Sequence, residues 1–244
     1  MDPVLIVFGI IFFAIVLLIV KLVLKGKKNT YSVSKIKASD LHAEQLAYIQ
    51  EWEQNPHKDR IHGLPGAGLI EAFGGKGVTG MRGELATARR LNDLIAKYPN
   101  LHMFHGVHYK GSQGDIDHLF VMGKTIILVD SKRWENNKDY RLVKSEKYGK
   151  LTALKNNQEF PGSSISLPLV RQRLGKDFAS SEVLAILCVE TNGGRIYENV
   201  AENHINFVRA DSLPLRLDLI LSKAENKENS HIKTFIKYCV KLPL

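Results

Sequence analysis

The chain has very little cysteine, and the spacing of what it has excludes several kinds of site. Only two cysteines occur in 244 residues, Cys188 in an apolar run and Cys239 near the end. They form no CxxC pair and no Cys/His cluster of the kind that holds zinc. Helix-turn-helix and zinc-finger patterns are also absent from the sequence. We therefore expect buried, inert thiols in a reducing compartment and no base-reading motif of these types.

A glycine-rich segment also lacks the features of a phosphate-binding loop. Gly74-Gly75-Lys76-Gly77 has neither the spacing nor the Ser/Thr of a P-loop. The density of glycine between His57 and Gly80 disfavours a continuous helix or a central strand. We therefore predict a flexible approach to the main domain over this segment.

The charge is strongly unbalanced toward positive. The formal net charge is +9 at pH 7, and the isoelectric point is near 9.4. Such a balance favours a polyanionic partner, either nucleic acid or an anionic membrane surface. Charge alone does not choose between the two.

The N-terminus is apolar over a length that spans a bilayer. Val4–Val20 carries no charge, and Leu22-Val23-Leu24 extends the run after Lys21. A cleaved signal peptide has positive charge before its apolar region, whereas here Asp2 precedes it and lysines follow. We predict a retained transmembrane anchor at 1–24 that contacts the membrane through residues 4–24. The alternative is a buried core helix.

The lysines on the C-terminal side of the apolar run predict its orientation. Positive residues favour the cytoplasmic side of a membrane. We therefore expect a single-pass membrane protein whose soluble part is cytoplasmic. A basic, polar stretch follows the run and suits a juxtamembrane tether that also touches anionic lipid.

Periodicity predicts a mixed-sheet α/β domain between a linker and C-terminal helices. The linker, with one short helix and the glycine-rich segment, is expected at 25–80, the main domain at 81–210 and C-terminal helices at 211–244. The linker helix would be capped by Ser39-Asp40 and end by Asn55, because Pro56 disfavours helix before it. Helices on both faces of the sheet are expected. The predicted elements after the linker are helices over 83–98, 167–176, 213–223 and 230–241, strands over 103–109, 116–121, 125–130, 183–189 and 205–208, and an outer hairpin over 140–150.

Two acidic motifs lie on either side of a predicted tight hairpin. Gly114-Asp115-Ile116-Asp117-His118 precedes the turn, and Val129-Asp130-Ser131-Lys132 follows it. Asp117 and Asp130 lie at similar distances from the turn, so strand pairing brings them side by side. Asp130 and Lys132 are two apart on one strand, so both side chains point to one face. Two carboxylates, a backbone carbonyl and one ammonium therefore converge.

This set of groups matches the needs of phosphodiester hydrolysis. That reaction requires a positioned water and a hard cation that offsets charge on the phosphate. Magnesium prefers carboxylate and carbonyl oxygens and is held by one or two acidic residues. The sequence therefore predicts the metal centre of a nuclease, with Lys132 orienting or deprotonating the attacking water and balancing charge.

The same residues resemble the nuclease-related domain (NERD) family, a branch of the restriction-endonuclease-like PD-(D/E)XK superfamily. The resemblance spans roughly Met81 to Val189 and lies in Gly83-Glu84 opening a helix, in 114–119 and in 129–134. It implies a restriction-endonuclease-like mixed sheet flanked by helices and a magnesium- or manganese-dependent nuclease. It also implies four catalytic residues, of which the three acidic ones hold the metal: Glu84, Asp117, Asp130 and Lys132.

Three positions extend or depart from the family pattern. The family commonly has glutamate where this chain has Asp130, so the carboxylate is one methylene shorter, although aspartate still ligates magnesium. Asp115 is a further candidate if its strand begins early enough to share a face with Asp117, and otherwise it lies in a turn. Gln172 resembles a glutamine that related nucleases place near the site.

Each candidate also has a purely structural interpretation. The aspartates near Gly114 suit an ordinary turn, Asp130-Ser131-Lys132 suits a strand end that meets solvent, and Glu84 suits a helix N-terminus. His118 is more typical of a buried structural histidine than of a DNA or metal contact. For Trp134 and Tyr140, packing is favoured over base stacking. The lysines over 144–155 suit a phosphate backbone or a solvated face equally.

The whole sequence predicts a membrane-anchored nuclease with a cytoplasmic catalytic domain. Its expected substrate is nucleic acid, DNA in the first place, and its expected cofactor is magnesium or manganese. The alternative is a catalytically inactive module of the same fold. Such a module binds nucleic acid or serves in membrane-bound protein assembly or sensing.

Overall fold

The computed structural model of the protein describes residues 41–109, 115–144, 151–191, 193, 195–198 and 205–239. The predicted membrane segment at 4–24 lies outside these residues, as do Gly114 and the predicted cap Ser39-Asp40. Among the helices that the structure describes, none is long and apolar enough to cross a membrane.

The secondary structure alternates short strands with helices along the chain. The helices are α1 (Ala43–Gln54), α2 (Leu69–Phe73), α3 (Gly75–Lys97), α4 (Leu167–Asp177), α5 (Leu213–Leu221) and α6 (Ile232–Ile236). The strands are β1 (Ile61–Gly63), β2 (His102–Val107), β3 (Ile116–Met122), β4 (Thr125–Arg133), β5 (Tyr140–Lys144), β6 (Leu151–Lys155), β7 (Gln158–Ile165), β8 (Glu182–Glu190), β9 (Ile196–Glu198) and β10 (Ile205–Arg209).

The central sheet has six strands in the order β1-β2-β3-β4-β8-β10. The β2-β3 and β3-β4 pairs are antiparallel, whereas β1-β2, β4-β8 and β8-β10 are parallel. The predicted tight hairpin between β3 and β4 is confirmed, although β3 extends one residue past its predicted end at 121 and pairs Met122 with Thr125. Strand β8 lies between two other strands, which agrees with its apolar sequence on both faces.

Helices cover both faces of this sheet. On β4, Ile126 and Leu128 belong to one core cluster while Ile127 and Val129 belong to another, because alternate side chains of a strand point to opposite faces. Helices α3 and α5 contribute Leu91 and Leu217 to the second cluster. Helices α4 and α6 contribute Leu174 and Phe235 to the first. The predicted mixed sheet flanked by helices is confirmed.

The glycine-rich segment contains edge strand β1 and is helical from Leu69 onward, contrary to the prediction of a flexible approach. Helix α3 begins at Gly75 rather than at Gly83, so the predicted domain boundary at 81 falls inside a helix. A Cβ atom at Gly77 would lie 2.0 Å from the carbonyl oxygen of Leu69. Glycine here permits close packing of α2 against α3, and that contact outweighs its low helix propensity.

Both ends of the described chain differ from the prediction in detail. His42 caps α1, since its Nδ1 accepts a hydrogen bond from the Glu44 N–H at 3.3 Å. Helix α1 ends at Gln54, just before Pro56, as expected. Helix α6 is shorter than predicted, because the chain after it turns to form a bridge between Cys239 and Val107.

A second sheet, of order β7-β6-β5-β9, follows the central strand β4 along the chain. The β5-β6 hairpin begins at Tyr140, as predicted for the outer hairpin over 140–150, but its second strand lies at Leu151–Lys155. Strands β7 and β9 were not predicted. Trp134 is 7% exposed and Tyr140 is 2% exposed. Their rings stack at 4.4 Å, and Phe160 packs beside them. The structure therefore supports packing rather than base stacking for these two side chains.

Candidate active site

The second acidic motif lies where β4 extends beyond its ladder with β3. The last residue pair between these strands is His118 with Val129, while β4 continues to pair with β8 as far as Arg133. The Asp117 Oδ2 accepts a hydrogen bond from the Ser131 N–H at 2.6 Å. A carboxylate therefore satisfies a backbone donor at the point where the ladder ends.

Asp130 and Lys132 form an ion pair on this part of β4. The Lys132 Nζ donates to the Asp130 Oδ1, and the two side chains are 27% and 15% exposed. Their spacing of two residues places both on one side of the strand. The predicted acidic-x-lysine pair is therefore half-buried and internally neutralised.

Helix α3 brings a third carboxylate to the same place. Glu84 is only 4% exposed, and its Oε2 accepts a hydrogen bond from the Gly66 N–H at 2.7 Å. Near the next turn of α3, the Thr87 Oγ1 lies 3.5 Å from the Ser131 Oγ. The helix thus presents Glu84 beside the end of β4, as its position on the apolar stripe indicates.

Each of the four groups acts on the others electrostatically. Burial raises the pKa of Glu84 to about 8, and the charge of Asp115 raises it further. The hydrogen bond from the Gly66 N–H and the charge of Lys132 act to lower it. Burial, followed by the charge of Glu84, raises the pKa of Asp117 well above its ordinary range. Burial acts to lower the pKa of Lys132, but the nearby aspartates outweigh it and raise that pKa. The site therefore brings together more acidic groups than its one lysine can neutralise, and Glu84 keeps its proton at neutral pH.

This arrangement can be compared with known protein families. Residues 79–166 match the family model of the nuclease-related domain. The matched stretch includes Glu84, Asp117, Asp130 and Lys132, and it is less than half of the 244-residue chain. Searches of curated proteins and of solved structures gave no match. The match confirms the predicted resemblance for this part of the chain and supports a nuclease-like fold.

Two further candidates differ in how close they lie to the candidate site. Asp115 lies just before β3, is half-buried and carries a charge that raises the pKa of both Glu84 and Asp117. Gln172 lies on the exposed side of α4, outside the family match. Within the described part of the chain, no hydrogen bond joins Gln172 to the four predicted catalytic residues. Its role stays a prediction.

His118 belongs to the protein interior rather than to the candidate site. It is fully buried, and its Nδ1 lies 2.8 Å from the Nδ1 of His105. Burial lowers the pKa of both rings, to about 3 for His105. Two neutral rings packed edge to face suit the structural interpretation of this histidine.

The site's donor set fits a hard cation with few protein ligands. Across the described ranges, no three histidine, cysteine, aspartate or glutamate side chains form a ready-made metal cluster. Magnesium is commonly held by one or two carboxylates and several waters. Buried carboxylates with raised pKa values are stabilised in their charged form by a cation. The predicted ligands Glu84, Asp117 and Asp130 are the groups here that could hold such an ion.

The sequence gives no direct signal for the groups that support Glu84. Gly66 supplies the N–H, and the Gln45 side chain in turn donates to the Gly66 carbonyl. Both residues lie outside the family match. The only available hint was that an inward-facing carboxylate needs a partner.

Replacement of Glu84 by glutamine is expected to change how stability depends on pH. The Glu84 carboxyl keeps its proton up to about pH 8 in the folded chain but loses it near pH 4.5 when unfolded. The free energy of unfolding therefore falls as pH rises through this window. Glu84→Gln keeps an acceptor for Gly66 and removes the titration. Near pH 9 the free energy of unfolding of Glu84→Gln should exceed that of the wild type by about 2–4 kcal/mol.

Chemical denaturation of both proteins in EDTA at a series of pH values measures this difference. Glu51→Gln is the matched control, since Glu51 pairs with Arg89 on the surface. The control should show the same pH slope as the wild type. Parallel curves for wild type and Glu84→Gln would contradict the buried, protonated state of Glu84.

Proposed function

We propose that this chain is a metal-dependent nuclease that hydrolyses phosphodiester bonds, with DNA as its substrate. The observation that carries the proposal is the cluster of Glu84, Asp117, Asp130 and Lys132. Three acidic residues and one lysine come from a helix and two strands, and two of the acids are almost fully buried. Such a cluster costs folding stability, which is typical of a functional site.

The acidic residues would hold a magnesium or manganese ion. Asp117 and Asp130 would be its protein ligands, with Glu84 as the third acidic residue at the site. When bound, the ion offsets negative charge on the phosphate and lowers the pKa of a water. The Asp117 carboxylate is held by the Ser131 N–H, which fixes its position before any ion arrives.

Lys132 serves as a permanent positive charge in this proposal. Because its raised pKa keeps it protonated, it is a poor base at neutral pH. Its ammonium instead orients the attacking water and offsets charge that develops on the phosphate. Of the roles that the sequence allows for Lys132, water orientation and charge balance are therefore favoured over deprotonation of the water.

The proposal also includes a location. A transmembrane anchor at residues 4–24 would hold the catalytic domain at the cytoplasmic face of a membrane, on the evidence of the apolar run and the lysines after it. A nuclease at that place suits the handling of foreign or damaged DNA close to the membrane. The net charge of +9 favours approach both to nucleic acid and to an anionic membrane surface.

A catalytically inactive module of the same fold is the second candidate. It is favoured by the missing three-ligand cluster among the described residues and by the Asp130 carboxylate, which is already paired with Lys132. In that case the chain would bind nucleic acid, or serve in membrane-bound assembly or sensing, without cutting.

Incubation of the full-length protein with plasmid, single-stranded DNA and RNA separates the two candidates. Each substrate is tested with magnesium, with manganese and with EDTA. Metal-dependent cleavage of DNA supports the enzyme. Retained binding of DNA in a mobility-shift assay, without cleavage under any of these conditions, supports the inactive module. Loss of both leaves assembly or sensing.

A further inference from the structure

The hydrogen-bond donor that holds Glu84 comes from the segment before the family match. Gly66 lies in a buried loop between β1 and α2, and its N–H points at the Glu84 Oε2. The Gly66 carbonyl accepts a hydrogen bond from the Gln45 Nε2 at 3.3 Å. The two peptide groups that flank the Gly66 Cα are therefore fixed, one by Glu84 and one by Gln45.

The orientation of the Gln45 amide is set from both ends. Gln45 is 3% exposed on α1. Its Oε1 accepts from the His42 N–H at 3.2 Å, so its Nε2 is the group that faces Gly66. A buried amide with a hydrogen-bond partner at both its oxygen and its nitrogen is held in a fixed position.

The loop itself packs tightly against α3 close to Glu84. Gly66 has φ +68°, which favours glycine, and a Cβ atom there would lie 2.6 Å from the Met81 Cα. Met81 precedes Glu84 by one helical turn. The position of the Gly66 N–H is therefore tied to the same turn of helix that carries the carboxylate.

Helix α1 is docked against α3 along its length. The Arg82 Nε lies 2.7 Å from the Glu44 Oε1, and Arg89 makes two hydrogen bonds to Glu51, at 2.8 and 2.9 Å. Both pairs are 38 positions apart, so the two helices run in the same direction. Apolar side chains of α1, the loop and α3 share one buried cluster, which includes Tyr48.

We propose that Gln45 is a positioning residue for Glu84, acting through the backbone of Gly66. Helix α1 and the loop after β1 are then part of the catalytic unit rather than a linker to it. The proposal rests on the proposed nuclease function, since it assigns Gln45 a role in placing a carboxylate of that site. Mutation of a residue that holds a metal ligand in position, without touching the metal itself, typically lowers activity or metal affinity by about 10–100-fold.

The test uses Gln45→Glu in the full-length protein. Glutamate has nearly the same shape, keeps an oxygen that accepts from His42 and loses the N–H that donates to Gly66; Gln45→Met, which has no donor in any protonation state, is tested beside it. We expect kcat for plasmid cleavage to fall by about 10–100-fold with KM unchanged. Glu51→Gln is the control, because it loosens the same α1–α3 contact at the surface and leaves Gly66 alone. Its kcat should match the wild type.

A second readout does not depend on cleavage. Glycine-selective 15N labelling resolves the Gly66 amide among the 19 glycines of the chain. In metal-free Gln45→Glu, the Gly66 amide proton should move and exchange faster with solvent, whereas in Glu51→Gln it should stay as in the wild type. A lowered kcat together with this change supports the proposal.

Two results overturn the proposal while leaving the nuclease in place. One is a folded Gln45→Glu protein that cleaves at the wild-type kcat. The other is a lowered kcat with an unchanged Gly66 amide, because Gln45 would then act by another route. If the wild type itself does not cleave, the proposed function fails, and the Gly66 amide alone decides whether Gln45 fixes the position of Glu84.

Discussion

Replacement of Lys132 by methionine is expected to lower kcat for DNA cleavage by about 10²–10⁴-fold. Methionine keeps most of the length of the side chain and removes the charge that sits among Glu84, Asp117 and Asp130. Lys132 acts to lower the pKa of both Glu84 and Asp117, so its loss favours their protonated forms. Plasmid cleavage at saturating DNA and metal measures this loss.

Lys155→Met is the matched control for this substitution. The Lys155 side chain is 27% exposed, as is that of Lys132, and it forms an ion pair with Glu135 on the second sheet. Measured at saturating DNA, its kcat should stay within a few-fold of the wild type, even if its binding weakens. Equal losses in the two variants would contradict a specific role for Lys132.

A chain that starts at Met81 is expected to lose cooperative folding. This truncation deletes β1 from the central sheet and cuts α3 after its second turn. Burial of one large apolar side chain contributes about 1.5–3 kcal/mol, and four such losses approach a typical stability of about 5–15 kcal/mol. Among the described residues, the truncation removes four large buried apolar side chains, those of Tyr48, Ile49, Ile61 and Leu64.

Thermal and urea unfolding of two truncated chains measures this effect. A chain of residues 41–244 retains α1, β1 and the loop and should unfold in one cooperative transition. The chain of residues 81–244 should show no such transition and should bind a hydrophobic dye. A cooperative transition of similar midpoint in both chains would show that the segment before α3 is a dispensable linker.

The strands and the acidic motifs could be predicted because their signals are local. Alternation and a tight turn define the β3-β4 hairpin, and its register brings Asp117 to the Ser131 N–H. The spacing of Asp130 and Lys132 settles their shared side of the strand. The helical stripe of α3 likewise indicates an inward Glu84, which the structure shows as buried.

What the sequence does not show depends on contacts between distant segments. In the sequence, Gly77 indicates a break in a helix. Only the structure shows that the carbonyl of Leu69 packs against Gly77, where a side chain would not fit. Gln45 is 21 positions from Gly66, and no pattern links a glutamine on an amphipathic helix to a loop backbone. Strand β9 pairs with β5 across a long stretch of chain, so its pairing has no local signal.

The most direct test of the proposed chemistry compares the full-length wild type with Asp117→Asn on the same plasmid, with magnesium and with EDTA. Asparagine keeps an oxygen that can accept from the Ser131 N–H, so the fold should be retained, as circular dichroism can verify. The prediction is that the wild type cuts the plasmid only with the metal and that Asp117→Asn does not cut it. An uncut plasmid with the wild type, or equal cutting by both proteins, would contradict it.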